Sequence, residues 1–357
     1  VIEDKMRTYL DYNATMPLRP TARLAMQSAM DVFGNPSSIH GEGREARGLV
    51  EGVRAQVAES VGCESHEITF TSGSTEAASV LAHWPKPVSV DATAHESLWV
   101  HHRPGIGDVA DSVYAMGLAN SETGVVADIP EKNERGWVVK NSVASYLLLD
   151  ITQVVGRLPF SFSRSGADFA ILSAHKLGGP KGVGALIARQ GVDCPTLVCG
   201  GGQEMGRRSG THNVIGIAGF GAAIKDAIRE LTDGVWEKIA SLRNILEATL
   251  AERADKTIFV GKKRARLPNT SCFITEGWKG ETQVIQMDLA GFAVSAGSAC
   301  SSGKVRSGRV LEAMGYSSSE ATSAIRVSLG PATTENEVLR FCDVWLQSEN
   351  RFRKRLK

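Results

Sequence analysis

The chain has 357 residues, 42% apolar and 22% charged, with a net charge of +1, which is length for two domains and the composition of an ordinary soluble globular enzyme. Such a balance speaks against a nucleic-acid partner, no apolar run approaches the ~20 residues of a membrane span, and the polar start lacks the apolar core of a signal peptide. Six cysteines without disulfide or zinc-ligand spacing point to a reducing, cytoplasmic compartment.

Taken in order, residues 8–11 read as a short strand leading to Tyr12. Pro17 and Pro20 introduce a helix running to Val32 and stopped by Gly34. After a polar loop around Asn35-Pro36, a helix is expected from about Arg44 to Ser60. Its apolar positions Ala46, Leu49, Val50, Val53 and Val57 share one face, and Gly62 closes it. Residues 41–46 match the letters of a dinucleotide fingerprint but lack the apolar strand that must precede one.

Residues 67–71 form the next strand, followed by Gly73-Ser74-Thr75-Glu76 and an alanine-rich helix. Free backbone N–H groups at that helix start, with the Ser74 and Thr75 hydroxyls, suit a phosphate. The same residues also read as a plain N-cap with Glu76 in the first turn. A strand at 88–90 leads to His95, placed to stack on an aromatic ring and relay protons, or simply structural. A strand at 112–116 leads to Asn120 and Ser121.

The apolar strand at 146–149 ends in Asp150, with Gln153 three residues on. An acid there suits the partner of a pyridinium nitrogen, or a cap. Residues 169–172 are another apolar strand, ending in Ser173, Ala174, His175 and Lys176 before a glycine-rich loop. In open α/β sheets ligands bind at the carboxyl ends of the strands. A lysine at that end can be partly desolvated, which lowers its pKa and frees its amine to form a Schiff base with a carbonyl cofactor. Three strand ends thus offer a phosphate cradle, a ring-nitrogen partner and a nucleophilic lysine.

Beyond a strand at 184–189 and a glycine-rich loop at 199–211 come two helices, from Asn213 to about Leu231 and from Val235 to Ala254. The break at Thr232-Asp233-Gly234 marks a domain change. Strands follow at 257–260 and 270–275, then a helix at 280–290 and a strand at 292–295. Arg326 lies on a strand whose apolar alternates Ile325, Val327 and Leu329 point the other way, so its guanidinium is free to clamp a carboxylate or to form a surface salt bridge. Cys63 follows a helix end, Cys272 lies in a strand and Cys342 sits among Phe341, Val344 and Trp345; all three read as buried and inert. Cys300 sits instead among Gly, Ser and Ala, which suggests a mobile loop carrying a nucleophilic thiol.

In these segments the chain resembles the cysteine desulfurases of the nitrogen-fixation and iron–sulfur-cluster type, within the class-V aminotransferase-like enzymes. The matching residues, in order, are 9–15, 33–40, 71–76, 173–176, 208–211 and 298–303, and the resemblance covers nearly the whole chain. It implies an α/β fold of the pyridoxal-phosphate-dependent transferase fold type I. A large domain (15–231) with a mixed, mostly parallel sheet would be joined to a smaller α/β domain (1–14 and 232–357) carrying the Cys300 loop. It further implies that Lys176 holds pyridoxal phosphate, Asp150 pairs with its ring nitrogen, Gln153 contacts its phenolic oxygen and His95 stacks on its ring. Ser74, Thr75, Ser173 and His175 would surround its phosphate. Thr211 would reach the phosphate of a neighbouring subunit in a homodimer. Arg326 would hold the carboxylate of L-cysteine, and Cys300 would take the sulfur as a persulfide for an acceptor or iron–sulfur scaffold protein, leaving alanine.

The chain departs from the family where Ser121 replaces a ring-contacting asparagine, for which Asn120 can compensate, and where Ala94 replaces a glutamate. Between Thr75 and Asn120 it is some tens of residues shorter. A selenocysteine lyase, another class-V lyase or aminotransferase, and a degenerate non-catalytic partner subunit are the rival readings. The basic residues 351–357 read as a solvated helix end or a docking site for an acidic acceptor.

Overall fold

The structure, a computed structural model, describes residues 7–105, 110–254, 256–296 and 308–355. The chain divides into two compact units. One comprises Met16–Leu118 and Ala127–Thr232; the other comprises Val1–Thr15, Ala119–Val126 and Asp233–Lys357. A two-residue strand, β1 (Thr8–Tyr9), opens the described chain and belongs to the second unit.

The first unit begins with α1 (Pro20–Ala29) and α2 (Gly41–Val61). α1 stops three residues before the expected Val32; residues 30–32 continue only as turns, with Met30, Asp31 and Val32 bonding back to Gln27, Ser28 and Ala29. α2 buries Ala46, Val50, Val53, Val57 and Val61. It ends at Gly62, whose φ of +68° is the left-handed conformation that a glycine adopts without strain.

A six-stranded sheet follows, made of β2 (Ile68–Thr71), β3 (Val88–Val90), β4 (Val113–Gly117), β8 (Tyr146–Asp150), β9 (Phe169–Ser173) and β10 (Gly184–Ala188). Its order is β2-β10-β9-β8-β4-β3. β10 runs antiparallel to both neighbours and the remaining pairs are parallel. This is the mixed, mostly parallel α/β sheet that the resemblance implies. Leu147, Leu148, Leu149, Phe169, Ala170 and Ile171 are fully buried. Continuous apolar runs, rather than alternating ones, are what strands covered on both faces require.

Short helices α3 (Ser74–Ala78), α4 (Glu96–Trp99) and α5 (Phe162–Ser165) sit in the connections, and α6 (Val214–Thr232) packs along α1 and α2. The helix expected after Glu76 is only this one turn, continued by a 3-10 turn to Leu81. A meander of β5 (Lys132–Asn133), β6 (Gly136–Val139) and β7 (Ser142–Ala144) stands apart from the main sheet. Buried Trp137 anchors it, donating from Nε1 to Asp168 Oδ2 at 3.0 Å.

The second unit holds α7 (Val235–Arg253), α8 (Gly280–Leu289), α9 (Arg309–Ala313), α10 (Ser318–Thr322) and α11 (Glu335–Arg355). Its four-stranded antiparallel sheet has the order β11-β12-β15-β14, with β11 (Thr257–Phe259), β12 (Thr270–Thr275), β14 (Ser295–Ala296) and β15 (Ala324–Ser328). β1 pairs in parallel with β13 (Phe292–Ala293). Trp345 of α11 packs edge-on to Phe273 at 5.3 Å and donates to Gln283 Oε1 at 3.1 Å, which satisfies its one polar atom in the core. Among the described residues no helix is long and apolar enough to cross a membrane.

Candidate active site

The register of the large sheet brings several of the residues singled out in the sequence to one edge. Thr71 of β2 and Ser173 of β9 lie on either side of Gly184 of β10, in one row. Asp150 of β8 is opposite Ile171 of β9 and Gly117 of β4. The segments that leave this edge carry Ser74 and Thr75, His95, Gln153, and His175 with Lys176. Two positions there tolerate only glycine. A Cβ on Gly184 would fall 2.5 Å from the Leu172 carbonyl oxygen and 2.6 Å from Gly73 Cα. Gly73 itself has φ +155° and lies beside Ser173, whose Oγ would be 3.5 Å from a Cβ placed on it.

The first α-helical bond of α3 runs from Ala77 N–H to the Gly73 carbonyl. The N–H groups of residues 74–76 therefore precede the helix ladder and point out of its start. Glu76, the one acid in this turn, is drawn away. Its Oε2 accepts from Ser72 N–H at 2.5 Å and its Oε1 from Arg208 Nε at 2.8 Å. Burial pushes the Glu76 carboxyl up, but the bonds from Arg208 and Ser72 outweigh it and hold it below the usual carboxylate range. What remains at the turn is N–H and hydroxyl donors, a donor set that fits a phosphate.

Asp150 is buried at 9% exposure, and its Oδ1 accepts from Thr152 N–H at 2.9 Å. Arg157, which no sequence pattern marked, ties this segment to the lysine turn. It donates from Nη1 to Gln153 Oε1 and from Nη2 to the Lys176 carbonyl at 3.2 Å. Lys176 and His175 are half-buried. Burial, with the charges of Lys176 and Lys181, pushes His175 down to about 4, so its imidazole is neutral at physiological pH.

His95 caps α4, accepting from Ser97 N–H at Nδ1 over 3.1 Å. In the neutral ring this leaves the proton on Nε2. Thr75 and Thr211 are exposed. The loop presenting Thr211 is held from beneath by Glu204, which the sequence reading passed over. Its buried carboxylate accepts from Arg54 at 2.7 and 2.8 Å and from Phe70 N–H at 2.9 Å, and pairs with His212 Nε2 at 2.7 Å. Burial alone would raise Glu204; His212 and Arg54 outweigh it and hold it at about 2. Glu204 and Met205 both adopt φ above +50°, a strained pair for residues with a Cβ, and these four bonds hold it in place.

The second unit carries Arg326, Asn120 and Ser121. β15 is buried on both faces, so Arg326 is 2% exposed and forms no surface salt bridge. It donates from Nη2 to Asp11 Oδ1 at 2.6 Å and from Nη1 to the Ser121 carbonyl at 3.0 Å. The same carbonyl accepts from Asn13 Nδ2 at 3.1 Å. Asn120 Oδ1 accepts from Glu122 N–H, Thr123 N–H and Thr123 Oγ1 at 2.8–3.0 Å, a turn closed by one side chain. That oxygen is thereby engaged within its own turn. Burial pushes the neighbouring Glu122 up to about 7 against the pull of Arg326 and Arg309.

Of the cysteines, Cys272 and Cys342 are buried and Cys63 is half-buried, and burial pushes all three thiols up to about 12. They are therefore poor nucleophiles at neutral pH. Cys300 lies outside the described residues.

The class-V aminotransferase family matches residues 8–94 and 105–341. A cysteine desulfurase IscS of Dictyoglomus turgidum is 35% identical, with 95% of this chain and 94% of that protein covered. A cysteine desulfurase of a Frankia species is 36% identical, with 94% and 90% covered. Among solved structures, a NifS-like protein from Rickettsia africae superposes with a TM-score of 0.86 at 33% identity, covering 96% of this chain and 99% of that one. The alignment to the Dictyoglomus protein runs to 374 positions against 357 residues here, so that protein carries residues this chain lacks. The family match breaks between residues 94 and 105, within the segment expected to be short and beginning at His95.

Proposed function

The chain belongs to the class-V aminotransferase family, and from that premise we propose that it is a cysteine desulfurase dependent on pyridoxal phosphate. It takes the sulfur of L-cysteine onto Cys300 and releases L-alanine. The observation that carries the reading is the row at the sheet edge: the Gly73–Thr75 turn, Ser173 with Lys176, and Asp150 all leave neighbouring or next-neighbouring strands at one end.

Lys176 would hold the cofactor through Nζ. Ser74, Thr75, Ser173 and His175 would surround its phosphate. The Asp150 carboxylate would face the ring nitrogen, and Gln153, its Oε1 held by Arg157, would donate from Nε2 to the phenolic oxygen. His95 would stack on the ring. When bound, the cofactor supplies an electron sink for the substrate's Cα.

The remaining work falls to side chains. Arg326 binds the substrate carboxylate. Lys176 Nζ takes up and returns the Cα proton, with His95 as a relay. The Cys300 thiolate attacks the substrate sulfur, forming the S–S bond as the C–S bond breaks. The electron pair of that bond stays with the substrate carbon, which is protonated to become the methyl group of alanine. One thiol and one L-cysteine thus give one persulfide and one L-alanine, with no external oxidant.

The sulfur then passes to an acceptor, which we place among iron–sulfur scaffold or thio-cofactor proteins. A homodimer is supported by Phe33 at 85%, Ile39 at 90%, Leu24 at 62% and Met30 at 60% exposure. That much exposed apolar surface in one stretch asks for a cover, and Thr211 would then serve the partner subunit's phosphate. Unpaired cysteines suit a reducing, cytoplasmic compartment. Incubation with L-cysteine and a thiol reductant should yield sulfide and alanine in equal amounts, and Cys300→Ser should yield neither. Sulfide released at the wild-type rate by that variant would point to a lyase that needs no thiol.

A further inference from the structure

Arg326 is 2% exposed, yet its Nε has no hydrogen-bond partner among the described residues. A buried guanidinium with one nitrogen left unpartnered is costly unless a ligand completes it. The neighbours show how that donor is kept in place. Residues 10–13 run beside β15: Ser328 N–H donates to the Leu10 carbonyl at 2.8 Å, Tyr12 N–H to the Ser328 carbonyl at 3.1 Å and Asn13 N–H to Ser328 Oγ at 3.0 Å. Asp11 forms a parallel bridge with Ser328, two residues along the same strand face from Arg326.

From there the two Asp11 oxygens divide their work. Oδ1 accepts from Arg326 Nη2 at 2.6 Å, and Oδ2 accepts from Ser295 Oγ at 2.8 Å. Ser295 is itself the cross-strand partner of Arg326. The Ser121 carbonyl takes Nη1. The arginine is therefore gripped by its two terminal nitrogens, one on a carboxylate and one on a carbonyl, and among the described residues Nε is left over.

We propose that Asp11 is the positioning residue for Arg326, fixing the guanidinium so that Nε is the donor offered to the carboxylate of the amino-acid substrate. This rests on the reading of Arg326 as the substrate-carboxylate residue. Asp11 never touches the substrate. It removes the rotational freedom of a long side chain before binding, and its charge keeps the guanidinium from being an unpaired buried ion. It is also a selector, because an amine lacking a carboxylate gains nothing from the arrangement.

The test is Asp11→Asn in the holoenzyme, with affinity for L-alanine read by calorimetry and compared with that for 2-aminoethanethiol, which lacks the carboxylate. The expected result is a loss of alanine affinity on the order of tenfold, with the aminoethanethiol affinity within about twofold of wild type. KM for L-cysteine should rise in parallel with the alanine loss, while kcat changes little. In an Arg326→Gln background the same substitution should have no further effect on alanine binding, as coupled residues require. Should Asp11→Asn fold poorly, Ser295→Ala loosens the same carboxylate and should give a smaller loss with the same selectivity. Unchanged alanine affinity, an equal loss for both ligands, or full additivity with Arg326→Gln would overturn the proposal. Wild-type protein that binds alanine but makes no sulfide would instead count against the desulfurase reading and leave the binding comparison intact.

Discussion

In the unit built on the six-stranded sheet, Asp150, Ser173 and Lys176 sit at or just beyond strand ends, and the backbone register aims them. In the other unit Arg326 lies within β15, and side chains and a carbonyl from distant segments aim it: Asp11, Ser295 and Ser121. A site built on register survives the loss of one side chain with its geometry intact, so such a loss removes chemistry. A site built on side-chain contacts loses geometry when one partner goes, so the effect appears in binding. The two regions should thus fail differently.

The largest effect is expected at the sheet edge. Lys176→Ala should lower desulfuration by more than about a thousandfold, since the nucleophile and the proton carrier are one atom. The purified variant should be colourless, with its unfolding midpoint in urea near that of wild type. A midpoint that collapsed along with activity would deny that the strand ends are aimed independently of the Lys176 side chain.

Next in size is Glu204→Gln, which leaves Arg54 and His212 without their buried carboxylate. Breaking such a net costs about 3–5 kcal/mol at neutral pH. The folded carboxyl sits at about 2 against an ordinary 4.5. The wild-type protein therefore holds this contribution in full above 4.5 and loses it as pH falls through 2. Urea melts at a series of pH values should show the gap between the two proteins closing toward the acid end.

Smaller again, and opposite in sign, is Glu122→Gln. Burial lifts this carboxyl to about 7, so the folded state holds a proton that the unfolded state releases above 4.5. Wild-type stability should fall as pH rises from 4.5 through 7. The variant should lack that decline and be the more stable of the two at alkaline pH. Equal slopes for both proteins would show that Glu122 does not feel the burial around Arg326.

The same contrast explains what could be read from the chain in advance. Apolar runs announced β8 and β9, and Gly234 marked the break between α6 and α7, because such signals are local. The β5–β7 meander was missed because its strands are two to four residues long, too short to show an alternation. Arg157 and Glu204 carried no local pattern; their importance comes from partners far along the chain, as with Arg54 and Glu204, 150 residues apart. At Ser121 the sequence reading weighed the side chain, whereas the carbonyl is what anchors Arg326 and Asn13. Asp11 read as the end of a strand, because nothing nearby reveals a partner 315 residues away.

The central claim is that sulfur leaves L-cysteine on a particular thiol of this chain. It is tested most directly by exposing the holoenzyme to L-cysteine without reductant, blocking free thiols and weighing the peptides. The account predicts one added sulfur atom on the peptide holding Cys300 and none on that holding the exposed Cys199. Alanine formed while the Cys300 peptide gains no sulfur would contradict it.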